Sequence, residues 1–146
     1  MHGYRSPGQP PTSPTDSPVI SPICVRVNYG RGCVWRGRVM HELLHALGLR
    51  HEHSRPDRDL HIAVNWNNIK PGSRHHFQVD NGYTFLDIPY DFDSVMHYGR
   101  NAFAKNSSVG VLTALTSPTR PLGGAVLTEL DRRRLQVLYG CYNAMH

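Results

Sequence analysis

The sequence predicts one small α+β domain, and three observations favour that class. A first helix is expected over residues 36–49, where apolar side chains fill most positions between a few polar ones. A second helix is expected over residues 128–140 near the end of the chain. Residues 23–28 and 60–64 favour short extended segments instead. A chain of 146 residues accommodates a single domain.

The elements follow in order along the chain. Residues 1–22 hold six prolines among Ser, Thr and Gly, a composition that predicts a disordered tail. A turn is expected at residues 28–32, after the first extended segment. A short helix is predicted over residues 68–79, with Pro71 near its start. Residues 80–93 resemble a loop, and residues 99–126 an irregular region with short extended pieces.

Clear signals bound the last helix. Thr128 can cap its first turn, with Asp131 placed three residues later as a capping box requires. Gly140 can adopt the left-handed conformation that ends many helices. We therefore expect the helix to begin at Thr128 and to end at Gly140.

Residues 41–51 carry the most specific chemical pattern, H-E-x-x-H-x-x-G-x-x-H. On a helix, His41 and His45 lie on one face and can bind the same metal ion. Gly48 can take a positive φ and end the helix. The chain can then turn back and place His51 beside the other two histidines as a third nitrogen ligand. Because apolar residues surround these histidines, we also expect the helix to be buried.

Three histidine ligands leave a fourth coordination position open to water, as in catalytic zinc sites. We therefore expect one Zn²⁺ per chain, bound by His41, His45 and His51. Zinc lowers the pKa of a bound water, and Glu42 is placed to accept its proton as a general base. These residues together predict hydrolysis of a peptide bond.

Two further runs carry a family resemblance. Residues 51–59 read H-E-H-S-R-P-D-R-D, and residues 89–99 read P-Y-D-F-D-S-V-M-H-Y-G. With these runs the chain resembles the astacin family of zinc metallopeptidases, a branch of the metzincins, from about Val25 to Cys141. The resemblance implies a metzincin-type zincin fold that covers the active-site helix and the C-terminal subdomain, with most of the N-terminal sheet missing. Residues 23–142 would form this partial domain, and residues 143–146 a C-terminal tail.

The resemblance also implies roles for single residues. Tyr98 matches a tyrosine that is a labile fifth zinc ligand and a donor to the oxyanion; the alternative is a buried phenol bonded to backbone. Met96 matches the apolar floor of the site; the alternative is ordinary core packing. Glu52 matches a glutamate that helps to anchor the mature N-terminus; the alternative is a surface carboxylate paired with Arg55 or Arg58. His53 and His97 occupy no ligand position of the family.

Members of this family are secreted endopeptidases, which implies an extracellular protein that acts on protein or peptide substrates. One alternative is a catalytically weak zinc-binding remnant that acts as a binding module, because the sheet that binds substrate is missing. Another is a basic binding protein without enzymatic activity. Residues 64–72 and 98–103 resemble the hatching-enzyme and egg-type branch most.

Composition excludes several other classes. The net charge is +5, but the basic residues are scattered without interleaved aromatics, so we expect no nucleic-acid partner. No run of 18 apolar residues and no secretory signal is visible in the chain. Cys24 can pair with Cys33 or Cys141, or stay free, and the sequence does not choose. Residues 106–108 form an N-glycosylation sequon, and no motif indicates an oligomeric state.

Overall fold

The computed structural model describes residues 35–141. The predicted tail at residues 1–22, the extended segment at 23–28, the turn at 28–32 and the tail at 143–146 lie outside the described residues. So do Cys24 and Cys33, and the three alternatives for Cys24 therefore stay open.

Two helices and one small sheet make up the regular structure of this part of the chain. Helix α1 spans Arg36–Ala46 and helix α2 spans Glu129–Tyr139. Strand β1 (Ile62–Val64) pairs antiparallel with β2 (Leu112–Ala114), in a register that sets Ile62 opposite Ala114. The predicted α+β class is confirmed, and most of the remaining residues form turns and irregular segments. Within residues 35–141, no helix has the length and apolar character needed to cross a membrane.

Helix α1 ends at Ala46, shortly before the predicted end at Leu49, and it is not buried. Gly48 has a φ of 95°, which lets the chain leave the helix without the steric cost that a Cβ atom would add. Leu44 is buried, whereas Leu43 and Leu47 are 45% and 43% exposed. The expectation of a buried helix is wrong for the described part of the chain, because only one side of α1 has a covering layer there.

The predicted helix over residues 68–79 is also wrong. Two separate 3₁₀ turns stand there, at Trp66–Asn68 and Arg74–Phe77. Ile69 forms a bridge with Ala104 and is extended between the two turns. Pro71 disfavours helical backbone in the residue before it, and Gly72 has a φ of 79°, so a continuous helix cannot pass through this point.

Helix α2 has the ends that the sequence predicts. The Thr128 hydroxyl accepts from the backbone N–H of Asp131, and the Asp131 carboxylate accepts from the backbone N–H of Thr128. Gly140 ends the helix in the left-handed conformation, with a φ of 65°. The capping box fixes the first turn of α2, and this turn lies against the segment that follows residue 90.

The buried apolar side chains form two clusters. One surrounds the sheet: Ile62, Ile69, Phe77, Tyr90, Val111, Leu112, Ala114 and Leu122. The other joins α1, the loop after residue 82 and one side of α2: Leu44, Leu49, Tyr83, Phe85, Ile88, Val95 and Met96. The second cluster lies against the helix that carries the predicted ligands, so its packing positions them.

Candidate metal centre

Three histidine rings converge at one end of a cleft. The Nε2 atom of His51 lies 3.1 Å from the Nε2 atom of His41 and 3.1 Å from that of His45. In a tetrahedral zinc site with Zn–N bonds of about 2.0–2.1 Å, two ligand nitrogens lie about 3.3 Å apart. The spacing in this chain therefore suits a single ion shared by three imidazoles.

Local structure explains why these rings meet. His41 and His45 stand one turn apart on α1, so their rings lie side by side with centroids 4.7 Å apart. After the turn at Gly48, the chain runs back and places the His51 ring 4.5 Å from the ring of His45. The structure thus brings together the three histidines named from the sequence.

Backbone carbonyls orient two of the rings. The Nδ1–H of His41 donates to the carbonyl oxygen of Val95 at 2.7 Å, and that of His45 donates to the carbonyl of Leu49 at 2.9 Å. A proton on Nδ1 leaves the lone pair on Nε2, the atom that faces the other rings. Metal-binding histidines are commonly held in this way, so the donor set fits zinc.

Burial keeps the rings of His45 and His51 neutral. Burial, followed by the nearby His45 and His41, lowers the pKa of His51 to about 3. Burial also lowers the pKa of His45, against an opposing contribution from its hydrogen bond to Leu49. A metal ion binds the neutral imidazole, so His45 and His51 have the required protonation state near neutral pH.

The cleft beside the histidines has a volume of about 880 Å³ and contains the other two predicted site residues. Glu42 lies on α1 next to His41 and lines this cleft. Tyr98 lies on the opposite side, with its ring 4.8 Å from that of His51 and stacked at 4.0 Å on His53. Burial, and secondarily the carboxylate of Glu42, raises the pKa of Tyr98, so the phenol keeps its proton.

The alternative interpretation of Tyr98 required a hydrogen bond to backbone. Within residues 35–141, the Tyr98 hydroxyl has no such partner. Met96 is 1% exposed and belongs to the second apolar cluster.

Two other histidines near the site bond elsewhere. His53 donates from Nε2 to the carbonyl of His76 at 3.0 Å. His97 donates from Nδ1 to the carbonyl of Tyr98 and accepts at Nε2 from the Tyr90 hydroxyl, at 2.7 and 2.8 Å. Neither ring belongs to the group of converging ligand atoms, in agreement with their exclusion from the predicted ligand set.

Glu52 is not the surface carboxylate that one interpretation of the sequence proposed. It is 1% exposed and accepts from Arg55 at 3.1 Å, from Arg134 at 2.7 Å and from the Tyr83 hydroxyl at 2.6 Å. Arg55 is therefore a correctly predicted partner, whereas Arg58 pairs with Asp59 at 2.7 Å. The charge of Glu52 suggested an exposed position, but two guanidinium groups and a phenol offset part of the cost of its burial.

Sequence reasoning missed two parts of the cleft wall. Phe103 has a φ of 53°, unusual for a residue with a side chain, and it stacks on His76 at 4.4 Å. Gly124 lies so close to the preceding segment that a Cβ atom would come 2.1 Å from the carbonyl oxygen of Asp93. The pair Gly123–Gly124 was a usable signal, because adjacent glycines often mark such close backbone approach.

The site has two histidines one turn apart on a helix, a third histidine after a glycine turn and a buried methionine further along the chain. These features define the metzincin class of metallopeptidases. Comparisons with known proteins place the chain more narrowly. The model of the peptidase family Astacin matches residues 24–140. The chain belongs to the astacin family.

Several relatives agree with this placement. High choriolytic enzyme 1 of Oryzias latipes is 40% identical over 116 residues, which are 79% of this chain and 42% of the relative. Zinc metalloproteinase nas-6 of Caenorhabditis elegans is 39% identical over 119 residues, 79% of this chain and 34% of the relative. The astacin-like metalloendopeptidase of Gallus gallus is 38% identical over 111 residues, 75% of this chain and 27% of the relative.

A solved structure supports the fold as well. High choriolytic enzyme 1 of medaka, described as a hatching enzyme zinc-protease, matches with a TM-score of 0.73 and 41% identity. The match covers 76% of this chain and 56% of the medaka chain. This chain spans about two fifths of the length of the choriolytic enzymes it matches. The prediction of a partial astacin-like domain is therefore confirmed.

Proposed function

We propose that this chain carries the metal-binding part of a zinc-dependent endopeptidase, with one zinc ion on His41, His45 and His51. The observation that supports it most is the convergence of three histidine Nε2 atoms, with two of the rings oriented by backbone carbonyls, beside a cleft that also holds a carboxylate. Tyr98 would be an additional ligand while substrate is absent, in keeping with its ring 4.8 Å from His51.

Zinc at this site would act as a Lewis acid towards a peptide carbonyl and lower the pKa of the attacking water. In our proposal Glu42 accepts the proton of that water and passes it to the nitrogen of the leaving amine. Tyr98 keeps its proton because its pKa is raised, so its hydroxyl can donate to the oxygen on which negative charge develops.

The substrates we propose are proteins or peptides outside the cell. An open cleft of about 880 Å³ has room for several residues of an extended chain. Asn106, the acceptor of the predicted sequon, is exposed, as glycosylation in the secretory pathway requires. The similar choriolytic enzymes are hatching enzymes by name, and a related role for this chain is part of the proposal.

One observation favours a second candidate, a zinc-binding remnant with little activity. Leu43 and Leu47 expose an apolar side of α1, and the chain corresponds to just over half of the medaka structure. If extended substrate normally pairs with a sheet edge, a chain without that sheet would bind zinc and leave peptides uncleaved.

The test compares the wild-type chain with Glu42→Ala in zinc content and in cleavage of a peptide panel. Glu129→Ala is the matched control, because Glu129 is an exposed glutamate on α2, away from the cleft. One zinc per chain, with cleavage lost only in Glu42→Ala, supports the endopeptidase. One zinc with no cleavage by the wild type favours the remnant, and no zinc in a folded chain contradicts both.

A further inference from the structure

We propose that Asp131 and Arg134 of α2 are positioning residues for the metal centre. Neither residue lines the cleft, and neither belongs to the histidine group. They act through two separate hydrogen-bonded paths that end at His41 and at His51. The inference rests on the proposed role of these histidines as zinc ligands.

The first path runs from Asp131 to His41. The Asp131 carboxylate accepts from the backbone N–H of Val95 at 3.2 Å and from the Ser94 hydroxyl at 2.6 Å. The carbonyl of Val95 in turn accepts from Nδ1 of His41 at 2.7 Å. Asp131 therefore fixes the residue whose carbonyl sets the orientation and the tautomer of His41.

The second path runs from Arg134 to His51. The guanidinium of Arg134 donates to Glu52 at 2.7 Å and to the carbonyl of Pro89 at 3.1 Å. Glu52 directly follows His51 in the chain, and its own N–H donates to the carbonyl of Met96 at 3.0 Å. Arg134 thereby holds the backbone from which the third ring projects.

The two paths share one origin. Asp131 and Arg134 lie three residues apart on the same face of α2, with exposed fractions of 0% and 2%, and they contact each other at 3.3 Å. Buried charges are costly unless each one is paired and hydrogen-bonded, as these are. Moving α2 would therefore displace the supports of His41 and of His51 together.

The test uses two variants that keep side-chain size. Asp131→Asn retains the shape but keeps one acceptor oxygen where the carboxylate has two. Arg134→Lys retains the charge but loses the planar fork, in which one nitrogen donates to Glu52 and Pro89 and the other to Asp131. Arg132→Ala is the control on the same helix, because Arg132 is exposed and its side chain pairs with Glu129 alone among residues 35–141.

A further control variant distinguishes the loss of ligand positioning from a general loss of stability. Ile69→Ala creates a cavity in the other apolar cluster, away from both paths, and lowers the melting temperature. Zinc dissociation constants are measured by chelator competition at 5 °C, after circular dichroism has verified that each variant is folded at that temperature. The absorption spectrum of bound Co²⁺ reports the geometry of the ligands in the same samples.

We expect Asp131→Asn and Arg134→Lys to weaken zinc binding by about 10- to 100-fold, and to alter the Co²⁺ spectrum. Arg132→Ala and Ile69→Ala should both bind as the wild type does. Equal affinity and an unchanged spectrum in Asp131→Asn and Arg134→Lys would overturn the inference while leaving the proposed function intact.

If the wild-type chain binds no zinc, the proposed function is wrong. A second measurement, made on the metal-free protein, then tests whether Asp131 positions His41. The imidazole ¹⁵N signals of His41 report its tautomer in the metal-free protein. Mixed tautomers in Asp131→Asn, with one tautomer in the wild type, support the first path. The same single tautomer in both proteins overturns it.

Discussion

Replacing Thr128 with alanine should destabilise the chain more than the loss of an ordinary helix cap. The Thr128 hydroxyl accepts from the N–H of Asp131 at 3.0 Å and donates to the carboxylate of Asp91 at 2.5 Å. Loss of a helix cap costs about 1 kcal/mol. Loss of a hydrogen bond to a buried charged group costs about 2 kcal/mol more. The free energy of unfolding should therefore fall by about 3 kcal/mol.

For a domain of this size, a change of that magnitude lowers the melting temperature by about 12 °C. Thermal unfolding followed by circular dichroism measures it directly. Thr128→Ser is the matched control, because it keeps the hydroxyl and loses a methyl group alone. A drop below about 3 °C in Thr128→Ala, or an equal drop in both variants, would show that the two hydrogen bonds do not stabilise the start of α2.

Three further results are expected. Gly124→Ala should lower the free energy of unfolding by about 1–3 kcal/mol, since its Cβ would lie 2.1 Å from a backbone oxygen. Gly99→Ala, whose nearest neighbour would be 3.6 Å away, should change thermal stability little, and equal effects would contradict the packing argument. Zinc at a free concentration of about 100 times its dissociation constant should raise the free energy of unfolding by about 2.7 kcal/mol. A chelator should remove this gain, and the Glu42→Ala variant should show the same gain as the wild type. The double variant Leu43→Glu, Leu47→Lys should reduce light scattering by the purified chain without lowering its melting temperature; unfolding of that variant would mean that other residues cover this side of α1.

The sequence predicted those parts of the molecule that depend on local spacing. The convergence of His41, His45 and His51 follows from helical periodicity and one glycine turn, and both the α+β class and the cap at Thr128 are confirmed. The roles of the histidines as ligands, of Glu42 as base and of Tyr98 stay predictions.

Features that depend on distant partners were not predictable in the same way. Glu52 has the charge of a surface residue, and its buried position depends on Arg134, which lies 82 residues away. The acceptor for His41 is a backbone carbonyl, which any residue could supply, so nothing in the sequence indicates that it belongs to Val95. The predicted helix at 68–79 failed partly for local reasons, at Pro71 and Gly72, and partly because Ile69 pairs with the distant Ala104 and is extended.

The two paths from α2 also bear on the order in which the chain folds. His41 bonds to a residue 54 positions later, and that residue bonds to another 36 positions beyond it. Contacts of such long range close large loops and therefore form late. When α1 and His51 emerge from the ribosome, helix α2, which supports the rings of His41 and His51, has not yet been synthesised. Nascent chains should therefore capture zinc only weakly, and metal loading should follow the completion of synthesis.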